Sequence, residues 1–219
     1  MKFSNNYIFY PSNVELVKAI DYYKTGLNNQ SSDEQVTDDA PDSSIAIQDN
    51  FLHTRGNFEQ HHFSTNILQS AQAAFESKLI ELSREQSPQE WAAVQNSLGN
   101  VLAALAQQRM DVALYESAIA AFNNALEVFT QEDSPSEWAT AQYNLGTASQ
   151  ALGRQQGDSK LMKTAVDAYT DALLVWTREQ DPEEWAITMF QLGASFYTHG
   201  KLLKGNRTFQ KSVVAFKNA

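Results

Sequence analysis

The chain has 219 residues, 42% hydrophobic and 19% charged, enough apolar material for a sizeable core in one or two domains. A formal charge of −10 argues against nucleic acid or anionic lipid as a partner, because both require clustered Lys and Arg. With no cysteine, disulfides, thiolate nucleophiles and cysteine-based zinc or iron–sulfur sites are excluded, and the longest apolar runs are too short to cross a bilayer.

The opening Met1-Lys2-Phe3-Ser4-Asn5-Asn6 lacks the apolar core of a signal peptide, which predicts a cytoplasmic protein. Val14, Val17, Ile20, Tyr23 and Leu27 recur at helical spacing and predict an amphipathic helix from Ser12 to Leu27 within an N-terminal element, residues 1–27. Residues 28–50 read as a flexible acidic linker: Asp33, Glu34, Asp38, Asp39, Asp42 and Asp49 occur there with no basic residue between Gln30 and Asn50. Beyond it, residues 51–219 are helical in pattern almost throughout. His53, His61 and His62 with Glu59 are irregularly spaced and read as a surface cluster, so no metal is expected.

A 47-residue repeat organises the rest. Ser87-Pro88-Gln89-Glu90-Trp91-Ala92, Ser134-Pro135-Ser136-Glu137-Trp138-Ala139 and Asp181-Pro182-Glu183-Glu184-Trp185-Ala186 each combine a capping residue, a proline at the first helical position and a glutamate at the third. Each therefore predicts a helix start with a capping box. Gly99, Gly146 and Gly193 recur inside these helices, where glycine costs roughly 1 kcal/mol against alanine, so a neighbouring helix is expected to come close there. A second helix follows in each unit, with Ala118, Phe122, Ala125 and Leu126 answered by Ala165, Tyr169, Ala172 and Leu173. The helix from Thr65 to Leu82 matches this second helix, which gives a half repeat at 65–86 and repeats at 87–133, 134–180 and 181–219. Gly153-Arg154-Gln155-Gln156-Gly157 is read as a turn between paired helices, and Lys201 to Asn218 as the final helix.

Leu-Gly in the first helix, followed by Ala-x-x-x-Phe/Tyr in the second, resembles the tetratricopeptide repeat in a long-helix variant. The last unit matches the family's shorter spacing, with Leu192-Gly193, Phe196, Gly205, Phe209 and Ser212 at the motif positions. Gln95, Gln142 and Met189 stand where the family has tryptophan, and Leu102 and Ser149 where it has tyrosine. The resemblance implies an all-α fold, a right-handed α-solenoid of antiparallel helix pairs whose first helices line a concave groove that binds peptides or partner helices.

In the family's register the inward positions are Asn96, Asn100 and Ala103; Tyr143, Thr147 and Gln150; Phe190, Ala194 and Tyr197, with Asn144 and Gln191 at the groove edge. None is Lys or Arg, which excludes a charge-paired carboxylate clamp. Amides that pair with a peptide backbone and aromatics that bury apolar side chains predict a protein partner, a neutral or basic peptide or amphipathic helix. Gly-x-Ser-x-Gly, a phosphate-cradling glycine loop and His-Glu-x-x-His are all missing, so neither catalysis nor a cofactor is expected. Phe209, Val213 and Phe216 mark an apolar outer face on the final helix that needs a cover, through homo-oligomeric self-association or a fold-back of the helix Ser12 to Leu27. A non-catalytic adaptor is thus the leading expectation, and a self-assembling structural module the alternative.

Overall fold

A computed structural model describes residues 65–204 and 206–219. The helix expected at Ser12 to Leu27, the linker 28–50 and the histidine cluster lie outside the described residues. Among the described residues there are seven helices and no strand: α1 (Thr65–Glu81), α2 (Pro88–Arg109), α3 (Val112–Leu126), α4 (Pro135–Gln156), α5 (Ser159–Ala172), α6 (Pro182–Leu203) and α7 (Asn206–Asn218). Each helix packs on its neighbours in chain order, and the first helices α2, α4 and α6 also touch one another in succession.

The turns within pairs are only two residues long. Met110, Gly157 and Lys204 end their helices in the left-handed conformation, with φ of 54°, 66° and 52°. Such a cap stops the helix and reverses the chain. Asp111 and Asp158 then cap the second helices: their Oδ1 atoms accept from Ala113 N and Leu114 N, and from Lys160 N and Leu161 N, at 2.7–3.4 Å. Gly153 to Gln156 therefore belong to α4, and the turn expected across Gly153–Gly157 shrinks to Gly157 and Asp158.

Prolines sit at the first helical position of α2, α4 and α6 as expected, but the capping boxes are not formed. Ser87, Ser134 and Asp181 make no side-chain cap bond, and each backbone N–H, the donor that the third-position glutamate would need in a capping box, is held by the carbonyl four residues earlier: Ser83, Thr130 and Thr177, at 2.9–3.1 Å. The Ser134 hydroxyl points back into the turn and accepts from Thr130 N. Thr130 and Thr177 brace these turns, their hydroxyls accepting from Asp133 N and Gln180 N.

The mid-helix glycines are close-approach points. A Cβ at Gly99, Gly146 or Gly193 would stand 2.5, 2.9 or 2.8 Å from the ring of Phe122, Tyr169 or Phe216. Further along, Gly153 faces Met162 and Gly200 faces Phe209, so each pair runs antiparallel in one register. Phe216, not Phe209, is thus the counterpart of Phe122 and Tyr169, and Ser212, 3% exposed, that of Ala118. The shorter spacing expected for the last unit is corrected by this packing. Lys201 to Leu203 belong to α6, not to the final helix.

Leu68, Ala71 and Phe75 of α1 join Leu98, Val101 and Leu105 of α2 in a core that continues through Phe122 to Leu145. Trp91 and Trp138 pack with Ala92, Ala125, Phe129 and Ala141 between units. Arg84 lies over the Trp91 ring at 5.2 Å and Arg178 over Trp185 at 5.5 Å, cations one turn ahead of the starts of α2 and α6. No helix among the described residues is long and apolar enough to cross a membrane.

Candidate interaction surface

The groove positions divide sharply by exposure. Asn100, Tyr143, Asn144, Thr147, Gln150 and Gln191 are buried, Asn96 is half-buried, and only Phe190 and Tyr197 are open to solvent, at 49% and 52%. The first helices lie so close together that the small and amide side chains on this face meet each other. Asn144 Nδ2 donates to Asn96 Oδ1 at 3.2 Å, joining α4 to α2. Gln150 Nε2 donates to Ser195 Oγ at 2.7 Å and to the Gln191 carbonyl at 3.2 Å, joining α4 to α6. These amides fasten helix to helix, and a backbone ligand would have to break the bonds to reach them.

Thr147 and Tyr143 are also turned inward. The Thr147 hydroxyl donates to the Tyr143 carbonyl at 3.0 Å, so its single proton is used and it accepts from the Tyr169 hydroxyl at 3.1 Å. Burial pushes the Tyr169 phenol far above its ordinary pKa. The Tyr143 ring sits 5.5 Å from that of Tyr169 and 5.8 Å from that of Trp176, a packed aromatic cluster.

The last pair presents the same positions without cover. Phe190 is the counterpart of Tyr143, Tyr197 of Gln150, Val213 of Val166 and Phe216 of Tyr169. Phe190 and Phe216 touch, rings 5.5 Å apart, and so do Tyr197 and Phe209 at 5.7 Å. Val213 is 51% and Phe216 41% exposed, whereas Tyr169 is fully buried. Of the side chains singled out for partner binding or self-association, Phe190, Tyr197, Phe209, Val213 and Phe216 therefore gather on one face of the last pair.

The arrangement offers apolar contact and little chemistry. Among the described residues no cluster of three or more His, Cys, Asp or Glu could hold a metal. Sequence reasoning missed Ser195, the acceptor for Gln150, because a serine in mid-helix announces nothing by itself. A comparison of each position with its counterpart 47 residues away locates the exposed face, since polar or shielded residues become Phe190 and Tyr197 there. Neither a known family model nor a curated protein matches the chain.

Proposed function

We propose that the protein is a cytoplasmic, non-catalytic protein–protein interaction module, built as a right-handed α-solenoid of the tetratricopeptide type, that seats an amphipathic partner helix against its last helix pair. The observation that carries this reading is the exposure of Phe190 and Tyr197 at positions whose counterparts, Tyr143 and Gln150, are 4% exposed. In the middle pair α6 covers the second of these and Trp176 the first, so the cover wanted at the last pair is another apolar helix face. From Trp185 onward the chain carries no side-chain carboxylate that could attract a basic helix, which narrows the partner on this face from neutral or basic to neutral.

Affinity capture tests the reading with F190S/Y197S. Both residues are half-exposed, so the variant should keep its helical content and melting behaviour while losing partners that the wild type retains. Equal retention of every partner would refute it. Asn100 and Tyr143 are unsuitable probes, because their substitution disturbs the packing first.

Self-assembly is the second reading, favoured by the same exposed face, which a second copy could cover as well as a foreign helix. Light scattering over a wide concentration range distinguishes them. A concentration-dependent oligomer dissociated by Val213→Asp supports assembly, and a monomer at all concentrations excludes it.

A further inference from the structure

On the other side of α7, away from Phe190 and Tyr197, the last pair holds an open trough of about 370 Å³. Met189, Leu192, Phe196 and Val214 form its floor, and Arg207 and Lys211 stand at its rim. Val214 is 58% exposed, and the Lys211 ammonium lies 5.5 Å above the Phe196 ring. Neither cation is in an ion pair among the described residues.

The first pair has a trough at the equivalent place, and its lining differs in kind. Gln95, Leu102, Ser117 and Ala120 stand there where the last pair has Met189, Phe196, Lys211 and Val214, each two repeat periods later. An amide has become a thioether, a hydroxyl an ammonium and a methyl an isopropyl group. Packing inside the pair does not call for these changes, since the first pair folds without them. They make an apolar floor under two cations, which is the complement of a segment that carries both carboxylates and apolar side chains.

This chain contains such a segment, outside the described residues. Between Asp38 and Leu52 it carries Asp38, Asp39, Asp42 and Asp49 together with Ile45, Ile47, Phe51 and Leu52, and no basic residue. We propose that residues 38–52 dock into the trough between α6 and α7, with aliphatic side chains on Met189, Phe196 and Val214 and carboxylates toward Arg207 and Lys211. Charge selects this occupant over the same surface of a second copy, because two α7 helices would bring Arg207, Lys211 and Lys217 against their own kind. The docking would hold the acidic segment away from the Phe190 face and leave that face to a partner.

The absence of cysteine lets one label be placed at will in the full chain. A spin label on Ser43→Cys should broaden the amide signals of residues 207–215 and spare those of α2. R207E/K211E, at two exposed positions, should abolish the broadening with helical content unchanged, and adding D39K/D42K should restore it. Raising salt from about 0.1 M to about 1 M shortens the screening length from about 10 Å to about 3 Å and should weaken the effect in parallel. Mixing labelled protein with isotope-enriched unlabelled protein tells docking within one chain from docking between chains, and broadening in either arrangement supports the proposal. It is overturned if α7 is not broadened, if charge reversal leaves the broadening intact, or if Val214→Cys forms a disulfide between two α7 helices. The fate of the Phe190 face is read separately, by partner capture, so the two ideas fail independently.

Discussion

The Phe122 ring lies against Gly99, so close that a β-carbon on the glycine would stand 2.5 Å from it. Alanine at an open mid-helix position gains roughly 1 kcal/mol over glycine, whereas forcing a methyl group into a packed core costs about 1–3 kcal/mol. Gly99→Ala is therefore expected to destabilise the protein by up to about 2 kcal/mol, measured as a lowered urea midpoint. Phe122→Leu in the same chain should recover part of the loss, and a Gly99→Ala variant more stable than wild type would contradict the packing.

The aspartates before the second helices, not the serines before the first, bear the capping bonds. Asp158→Ala should cost about 1 kcal/mol, because two backbone donors lose their acceptor. Ser134→Ala should cost less, since its hydroxyl contributes only a 3.3 Å bond back into the turn. Thermal melts of the two variants, compared side by side, check the order.

Gln150 is expected to be the most sensitive of the amides between first helices. Gln150→Ala removes the donor that serves both Ser195 Oγ and the Gln191 carbonyl in a buried setting, a loss of about 1–3 kcal/mol. Asn96→Ala, at a half-buried position with one amide bond, should cost less. Denaturant titration of both variants decides whether the ladder is structural.

Tyr169 should make the protein sensitive to alkali. Its phenol keeps its proton in the folded state well beyond the pH near 10 at which an unfolded tyrosine ionises. The pKa is raised on folding, so the unfolded chain loses the proton first, and stability present below pH about 10 falls as the pH rises further. Tyr169→Phe should lose about 0.5–1.5 kcal/mol near neutrality through the missing Thr147 bond, yet show a shallower decline above pH about 10. Identical alkaline slopes for the two proteins would remove Tyr169 from the account.

The helix pairs, the starts of their first helices and the glycine contacts were legible in the sequence because each depends on local signals that repeat. Pro135 and Glu137 mark a helix start by themselves, and Gly146 is conspicuous in any helix. Other features depended on where atoms end up. Phe209 and Phe216 are both aromatic and both lie on one helix, and the ring on Gly193 shows that Phe216 continues the series. Ser134 is a good capping residue by type, but its hydroxyl is turned back to accept from Thr130 N, a choice made by the preceding turn. Asn100 and Gln150 are positions that the resemblance marks as inward, and both are buried. Their burial follows from the separation of the first helices, which no single helix encodes.

The constant register also sets which changes in length the chain can absorb. Loss of one residue from α4 before Gly146 would turn the remainder of the helix by about 100° and carry the glycine away from Tyr169. Deletion of residues 134–180 instead joins Asp133 to Asp181-Pro182 and brings a helix of the same length, 22 residues, against α3 with its glycine in phase. Insertions and deletions are thus felt or not according to whether they are whole units, and duplication in multiples of 47 residues is the route by which such a chain can lengthen without redesigning any contact.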